Sequence, residues 1–262
     1  MQTICQIYRV NIKNKNMNDK RIEANRYDLR AKTKLNSNIH KPFPILNSHL
    51  NQPYEAYQEM FKVLPKGSQI LEIGAGMGEN TEFLLKLGFK VCSTDISSKS
   101  VEVMQKRFSD YDNFVAKEAD MELLPFENNS FDIVCSAGSL SYGDNLTVMN
   151  EIYRVLNHTG SFIAIDSLNN NLIYRLNRYI NYLMAKRTKS TLLRMPNIKL
   201  IKMYEKKFGS LEVNYYGSLT WLYPFLKIFI KEQAIKNLLY RFDKKFSIKR
   251  SAFKFTMKTT KI

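Results

Sequence analysis

The chain has 262 residues, 44% of them hydrophobic and 24% charged, which suits a protein with a buried core and excludes a disordered tail or a collagen. Three scattered cysteines exclude a disulfide scaffold and predict a reduced, cytoplasmic protein. The longest apolar run, residues 219–230, has about twelve residues and contains Lys227, whereas a membrane span needs about twenty.

Charge is distributed unevenly along the chain. Residues 1–50 hold 10 basic and 3 acidic side chains, residues 51–165 hold 9 and 16, and residues 166–262 hold 21 and 5. An acidic middle segment is therefore flanked by two basic arms. An A+T-rich genome would explain many lysines, but it would not explain why the middle segment has so few. We therefore interpret the charge distribution as functional.

Strands and helices alternate through the middle segment. Strand patterns cover residues 69–73, 90–94, 114–117, 131–136 and 161–165, and helix patterns cover 78–87, 97–108 and 144–156. A turn at residues 158–160 is predicted to precede the fifth strand. Strands that alternate with helices predict a doubly wound α/β fold with a parallel sheet and right-handed crossovers.

The pattern changes after Asp166. The elements predicted there are helices over 172–187 and 198–207, strands over 211–216 and 252–258, and an amphipathic segment over 219–242 that Pro224 interrupts. Residues 1–16 carry no such pattern and are predicted to be unstructured.

A glycine-rich loop at residues 71–78 (LEIGAGMG) is the most informative motif. Glycines that follow a strand and open a helix let backbone amides approach a ligand closely. A dinucleotide fingerprint needs a glycine at position 79, where this chain has Glu79, and a second carboxylate at Glu72 would also repel a pyrophosphate. The loop therefore favours a positively charged cofactor without phosphates, namely S-adenosylmethionine.

Acidic residues stand at the ends of three successive strand patterns. Glu72 ends the first, Asp95 ends the second and Asp120 follows the third. The carboxyl ends of parallel strands meet at one edge of a sheet, so we expect all three beside the glycine loop. There Glu72 can attract the cofactor's ammonium group, Asp95 can accept both ribose hydroxyls, and Asp120 can accept the adenine amino group.

Five segments resemble the class I S-adenosylmethionine-dependent methyltransferases. They are LEIGAGMG (71–78), TDIS (94–97), EADMELLPF (118–126), SFDIVCSAGSLSY (130–142) and NEIYRVLNHTGSFIAID (150–166). The resemblance covers about residues 54–166. It implies a Rossmann-like fold, in which a seven-stranded, mostly parallel sheet has an antiparallel last strand and a helical cap.

The resemblance also implies cofactor contacts beyond the three carboxylates. These come from the glycine loop, from the strand ends and from an N-terminal tyrosine that closes over the cofactor. They are Tyr27, Gly74, Ala75, Gly76, Ile96, Met121, Ser136 and Ala137. Of these, Ile96 would pack on the adenine, and Ser136 and Ala137 would lie beside the methyl donor.

On this basis the chain divides into three parts that belong to one domain. Residues 1–50 are a basic N-terminal arm and cap, and residues 51–168 are the cofactor-binding core. Residues 169–262 supply helices on the acceptor side together with strands six and seven.

The sequence identifies no clear general base. Many relatives have a histidine pair after strand four, where this chain has Leu140, Ser141 and Tyr142. A hydroxyl acceptor needs a base, for which Tyr142, Asp144 and His49 are the candidates. An acceptor that is already ionised needs only alignment with the sulfonium. No spacing of cysteines and histidines predicts a metal site.

Helix 172–187 suggests how the acceptor is held. Arg175 and Arg178 share one face, whereas Leu172 and Leu176 share an apolar face predicted to pack on the core. The basic face is either simply solvated or, together with Tyr142, binds the acceptor.

Residues 172–258 are similar to the corresponding part of bacterial methyltransferases associated with surface-polysaccharide biosynthesis. The resemblance implies O-methylation of a sugar, a nucleotide-linked sugar or a phosphorylated small-molecule precursor.

Other functions remain open. The amphipathic residues 219–231 could rest on a membrane surface, as in a methyltransferase of lipids or quinones, or they could form a lid or a homodimer face. A non-catalytic cofactor-binding module is a further alternative. Nucleic acid is not expected, because residues 136–139 (SAGS) lack the NPPY-like loop of base-flipping methyltransferases.

Overall fold

Seven strands form one sheet in a computed structural model that describes residues 2–37, 39–40, 51–246 and 248–262. The strands are β1 (Gln69–Ile73), β2 (Lys90–Asp95), β3 (Phe114–Glu118), β4 (Phe131–Ala137), β5 (Leu156–Ser167), β6 (Glu212–Tyr216) and β7 (Lys254–Thr260). Their order across the sheet is β3-β2-β1-β4-β5-β7-β6. Strands β1 to β5 are parallel, whereas β7 is antiparallel to both β5 and β6. The predicted fold class is confirmed.

Helices lie on both sides of this sheet. They are α1 (Gln2–Leu35), α2 (Gln52–Lys62), α3 (Thr81–Lys86), α4 (Ser98–Arg107), α5 (Asn145–Val155), α6 (Leu172–Leu183), α7 (Lys189–Leu193), α8 (Ile198–Phe208), α9 (Tyr223–Leu226) and α10 (Glu232–Lys245). N-cap side chains accept hydrogen bonds from free backbone amides at the start of two helices. Ser97 accepts from the Ser100 amide at α4, and Asn197 accepts from the Leu200 amide at α8. Gly209, in the left-handed region, ends α8.

Three stretches differ from the prediction. Residues 2–16, expected to be unstructured, belong to α1, which contains no glycine or proline to interrupt it. The helix expected over 172–187 ends at Leu183, because the chain turns at Ala185, which has a positive φ. The turn expected at 158–160 is an irregularity within β5, where Thr159 also has a positive φ.

The sheet is covered on both faces, as alternation along each strand requires. In β5, Phe162 and Ala164 belong to the cluster formed with α5 and α8, whereas Ile163 and Ile165 belong to the cluster formed with α2, α3 and α4. The ring of Phe162 stacks on that of Tyr204 from α8, with centroids 5.3 Å apart. Among the described residues, no helix combines the length and the hydropathy that a membrane span requires.

Truncation of Phe162 tests the packing of α8 on the sheet. Phe162 is fully buried, so Phe162→Ala should lower the free energy of unfolding by about 3–5 kcal/mol through lost burial and a residual cavity. The matched control is Phe229→Ala, because Phe229 is 85% exposed. Urea denaturation should show a change within about 0.5 kcal/mol for the control. Equal losses in both variants would contradict this packing.

Candidate active site

A cavity of about 690 Å³ opens at the carboxyl ends of the parallel strands. It lies where the strand order reverses between β1 and β4, the usual ligand position in doubly wound sheets. Its lining residues are Lys20, Glu23, Tyr27, Arg30, Tyr54, Gln58, Glu72, Gly74, Ala75, Gly76, Glu79, Asn80, Asp95, Ile96, Ala119, Asp120, Met121, Ala137, Gly138, Ser139 and Tyr142. The structure thus brings ten of the eleven predicted cofactor residues to one cavity.

The glycine loop after β1 lines the cavity, and two of its positions have backbone conformations that require glycine. Gly74 and Gly76 have φ values of +61° and +59°, in the left-handed region that glycine adopts without strain. A Cβ at Gly74 would lie 2.4 Å from the Cβ of Ser139, so the loop after β1 packs directly against the end of β4. Only glycine fits there.

Glu72 ends β1 as a fully buried carboxylate that also borders the cavity. Its Oε2 accepts hydrogen bonds from Thr81 Oγ1 at 2.6 Å and from Ser93 Oγ at 2.7 Å. Burial raises the pKa of Glu72 to about 7, and these two hydrogen bonds only partly oppose that rise. A cation in the cavity would stabilise the ionised form.

Asp95 ends β2 on the opposite side of the loop. Its Oδ2 accepts from the Gly76 amide at 2.8 Å, and its Oδ1 accepts from the Ser97 amide at 2.9 Å. Each oxygen retains a lone pair, so a vicinal diol in the cavity has two acceptors in a fixed position. Burial raises the pKa of Asp95 to about 6 despite these amide hydrogen bonds.

Asp120 borders the cavity and forms an ion pair with a lysine of α1, which the sequence did not predict. Lys20 Nζ of α1 lies 2.6 Å from Asp120 Oδ2 and 2.8 Å from Glu122 Oε2. The partners are 100 residues apart, and no local motif links them. Spacing did offer a signal for the lining face of α1, because Lys20, Glu23, Tyr27 and Arg30 recur every three or four residues.

Helix α1 covers the cavity through contacts on two sides. Tyr27 and Tyr142 are hydrogen-bonded through their hydroxyls at 3.0 Å, and burial raises the pKa of Tyr27 well above its usual value. Asp28 Oδ1 accepts from Ser97 Oγ at 2.6 Å, and Glu23 Oε1 accepts from the Thr188 amide at 3.2 Å. These contacts close α1 over the space between β2 and β4.

Ser136 and Asp144, both predicted site residues, do not line the cavity. Ser136 is buried behind the cavity wall, where its hydroxyl is hydrogen-bonded to that of Ser139 at 2.7 Å. Asp144 does not line the cavity, because its carboxylate caps α5 by accepting from the Thr147 amide at 3.1 Å. His49 lies outside the described residues.

The two predicted acceptor-binding arginines do not line the cavity. Arg178 is 5% exposed, and its Nη1 donates to the Leu168 carbonyl at 2.8 Å and to Asn169 Oδ1 at 2.9 Å. Arg175 lines a separate groove between α6 and α8. The prediction of a helix with two faces was correct, but the assignment of the faces was wrong. The face of α6 that packs inward carries Tyr174 and Arg178, whereas Leu172 and Leu176, predicted to pack on the core, are exposed.

Residues that sequence reasoning missed complete the walls of the cavity. Tyr54 and Gln58 lie one turn apart on α2, and their spacing was the only signal. Glu79 and Asn80 follow the glycine loop directly, and Glu79 Oε2 accepts from the Met77 amide at 2.9 Å. No group of three or more histidine, cysteine or acidic side chains placed to hold a metal occurs among the described residues.

Residues 71–164 match the family model described as a methyltransferase domain. The sterol 4-C-methyltransferase strm-1 of Caenorhabditis elegans is 32% identical over 112 residues, which are 41% of this chain and 34% of that protein. The sarcosine/dimethylglycine N-methyltransferase of Aphanothece halophytica is 32% identical over 115 residues, 42% of each protein. The chain thus spans less than half the length of these two relatives.

One solved structure illustrates the fold. It is the geranyl diphosphate C-methyltransferase of Streptomyces coelicolor A3(2), in complex with Mg²⁺, geranyl diphosphate and S-adenosyl-L-homocysteine. Its TM-score is 0.56 at 12% identity, and the alignment covers 81% of each chain. The two chains therefore share a Rossmann-like fold.

The buried carboxylate of Glu72 predicts a pH effect on stability. Its pKa is about 7 in the folded protein and about 4.5 in an unfolded chain, so its contribution is fully present below pH 4.5 and is lost as the pH rises through 7. Glu72→Gln keeps both hydroxyl partners and removes the ionisation. From pH 4.5 to 8, the stability of the variant should therefore rise relative to the wild type by about 3 kcal/mol, as measured by urea denaturation.

The exposed position Glu127 provides the control for this pH effect. Glu127→Gln should follow the wild-type stability profile across the same pH range. If the stability of Glu72→Gln and of the wild type changed with pH in the same way, burial would not raise the pKa of Glu72.

Proposed function

We propose that the protein is an S-adenosylmethionine-dependent methyltransferase. One observation carries this proposal: the carboxylates of Glu72 and Asp95 flank a glycine loop at adjacent strand ends, and both border the same cavity. Glu72 would attract the ammonium group of the cofactor, and Asp95 would accept its ribose hydroxyls. The loop between them admits a ligand directly against the backbone.

The charge of the cavity supports a cationic cofactor. Its lining contains five acidic residues and two basic residues, Lys20 and Arg30. The acidic ones are Glu23, Glu72, Glu79, Asp95 and Asp120. When bound, S-adenosylmethionine supplies an electrophilic methyl group on a positively charged sulfur. The residues of this chain would orient it, and α1 would exclude water from above.

The comparisons support a small-molecule acceptor. The relatives with similar central segments are named for a sterol and for sarcosine or dimethylglycine, and the structural neighbour holds geranyl diphosphate. These acceptors differ from one another in charge and size, so the acceptor of this chain has to be argued from its own cavity.

For the acceptor we retain O-methylation of a sugar, a nucleotide-linked sugar or a phosphorylated precursor of a surface polysaccharide. Support now comes from Arg30, a cation that lines the cavity, in place of Arg175 and Arg178. A lipid or quinone acceptor is the second candidate, favoured by the aromatic wall of Tyr27, Tyr54 and Tyr142.

Calorimetry with S-adenosylmethionine tests the proposed cofactor. The protein should bind it with one-to-one stoichiometry, and Asp95→Ala should weaken binding by about 1–3 kcal/mol through loss of charge-assisted hydrogen bonds. Asp112→Ala, at an exposed turn position, is the matched control and should bind normally. NAD should not bind. The proposed function would be rejected if the intact protein failed to bind S-adenosylmethionine.

A pair of tyrosine variants tests whether Tyr142 takes part in proton transfer. Tyr27→Phe and Tyr142→Phe both remove the hydrogen bond between the two hydroxyls, but only the second removes the candidate base. If Tyr142 is the base, Tyr142→Phe should lower kcat by about 10²–10⁴-fold and Tyr27→Phe much less. Equal effects would assign the pair to closure of the cavity alone.

The measurement for both variants is formation of S-adenosylhomocysteine. Nucleotide sugars, sugar phosphates, quinols and lipids would be screened as acceptors with the intact protein first. Cofactor binding without turnover on any of these classes would favour the non-catalytic module.

A further inference from the structure

Helix α6 points a tyrosine and an arginine inward and leaves its leucines exposed. Tyr174 and Arg178 are buried, and Tyr174 donates its hydroxyl hydrogen to the Gly217 carbonyl at 3.0 Å. On the opposite face, Leu172 is 75% exposed, Leu176 is 60% exposed and Leu183 is 65% exposed. An amphipathic helix on a protein in water normally has the reverse arrangement.

The same part of the chain is strongly basic. Residues 167–204 contain eight lysines and arginines and no acidic residue. Lys186 and Lys189 follow the C-terminal end of α6 and are exposed. Large apolar side chains with lysines and arginines around them are typical of helices that lie in the surface of an anionic bilayer.

We propose that the outer face of α6 docks on an anionic membrane surface. At 12 residues the helix is about 18 Å long, too short to span a bilayer, so it would lie in the plane of the headgroups. Leu172, Leu176 and Leu183 would enter the acyl boundary while the lysines contact anionic headgroups. The surface lies outside the cavity, so this inference does not rest on the proposed function.

Charge disfavours a second copy of the chain as the occupant. A two-fold symmetric contact would pair this face with itself. The exposed cations of residues 167–204, such as Arg175, Lys186 and Lys189, would then face those of the other copy with no acidic partner from this segment. An anionic bilayer supplies the opposite charge and an apolar layer at once.

A second exposed apolar segment follows later in the chain. Residues 225–230 expose Phe225, Ile228 and Phe229. They follow a 3-10 turn at Thr220–Leu222, and Tyr174, on the inner face of α6, is hydrogen-bonded to Gly217 three residues before that turn. Lys227 and Lys231 add positive charge there.

Co-sedimentation with vesicles tests the proposal on the full chain. The intact protein should bind vesicles of phosphatidylcholine with 30% phosphatidylglycerol more tightly than pure phosphatidylcholine vesicles, with affinity falling as salt is added. The double variant Leu176→Ser/Leu183→Ser should lose at least about tenfold in affinity. Both positions are exposed, so the variant should keep its fold, as checked by circular dichroism.

Val115→Ser is the apolar control, since Val115 is half exposed on β3, at the edge of the sheet opposite β6. Its vesicle affinity should equal that of the intact protein. Lys186→Gln/Lys189→Gln should weaken binding to anionic vesicles. Lys66→Gln/Lys90→Gln, at exposed positions shortly before β1 and at the start of β2, should leave it unchanged.

Three results would overturn the proposal. The first is equal vesicle binding by the intact protein and the double leucine variant, and the second is no binding of the intact protein to anionic vesicles at low salt. The third is a dimer in analytical ultracentrifugation that the double leucine variant dissociates, without vesicle binding; a second copy would then cover the face. Binding of S-adenosylmethionine by the same variants, measured by calorimetry, keeps this outcome separate from that of the proposed function.

Discussion

The close contact between the loop after β1 and the end of β4 determines the geometry of the site. Gly74 leaves no space for a side chain beside Ser139, so the two strand ends meet at van der Waals distance. The next glycine, Gly76, donates its amide to Asp95 and thereby holds the end of β2 in the same place. These contacts hold three strand ends next to one another, and the carboxylates of Glu72 and Asp95 are positioned as a result.

Burial of these carboxylates then sets the electrostatics of the cavity. Glu72 and Asp95 are both shielded from water, and desolvation raises the pKa of each. A positively charged cofactor beside these carboxylates would offset the cost of that desolvation, so this part of the cavity favours cations over anions. Helix α1 supplies Lys20 to Asp120 and Glu122, which neutralises part of the remaining negative charge at the edge of the cavity.

The parts of the structure that could be predicted from the sequence are those with local causes. The apolar strands, the glycines with positive φ and the acidic residues at strand ends each depend only on residues nearby in the sequence. Their patterns can therefore be recognised in the sequence alone. The closure of α1 depends on pairs such as Lys20 and Asp120, which no local pattern connects.

The orientation of α6 shows a different limit of sequence reasoning. Periodicity identifies two faces of a helix but does not say which one meets the protein. Here Arg178 lies on the inner face of α6, where it donates hydrogen bonds to the carbonyl oxygen of Leu168 and to the side-chain amide oxygen of Asn169. The leucines that would ordinarily mark the core side are therefore exposed.

The position of β7 between β5 and β6 has a consequence for folding. Ser161 of β5 pairs with Thr260 of β7, and these residues are about a hundred positions apart in the chain. The part of the sheet formed by β5, β7 and β6 therefore has a high contact order. During synthesis, β5 and β6 would leave the ribosome before their shared partner, with their hydrogen-bonding edges unpaired. We therefore expect the late arrival of β7 to limit the folding rate and to be the stage most exposed to aggregation.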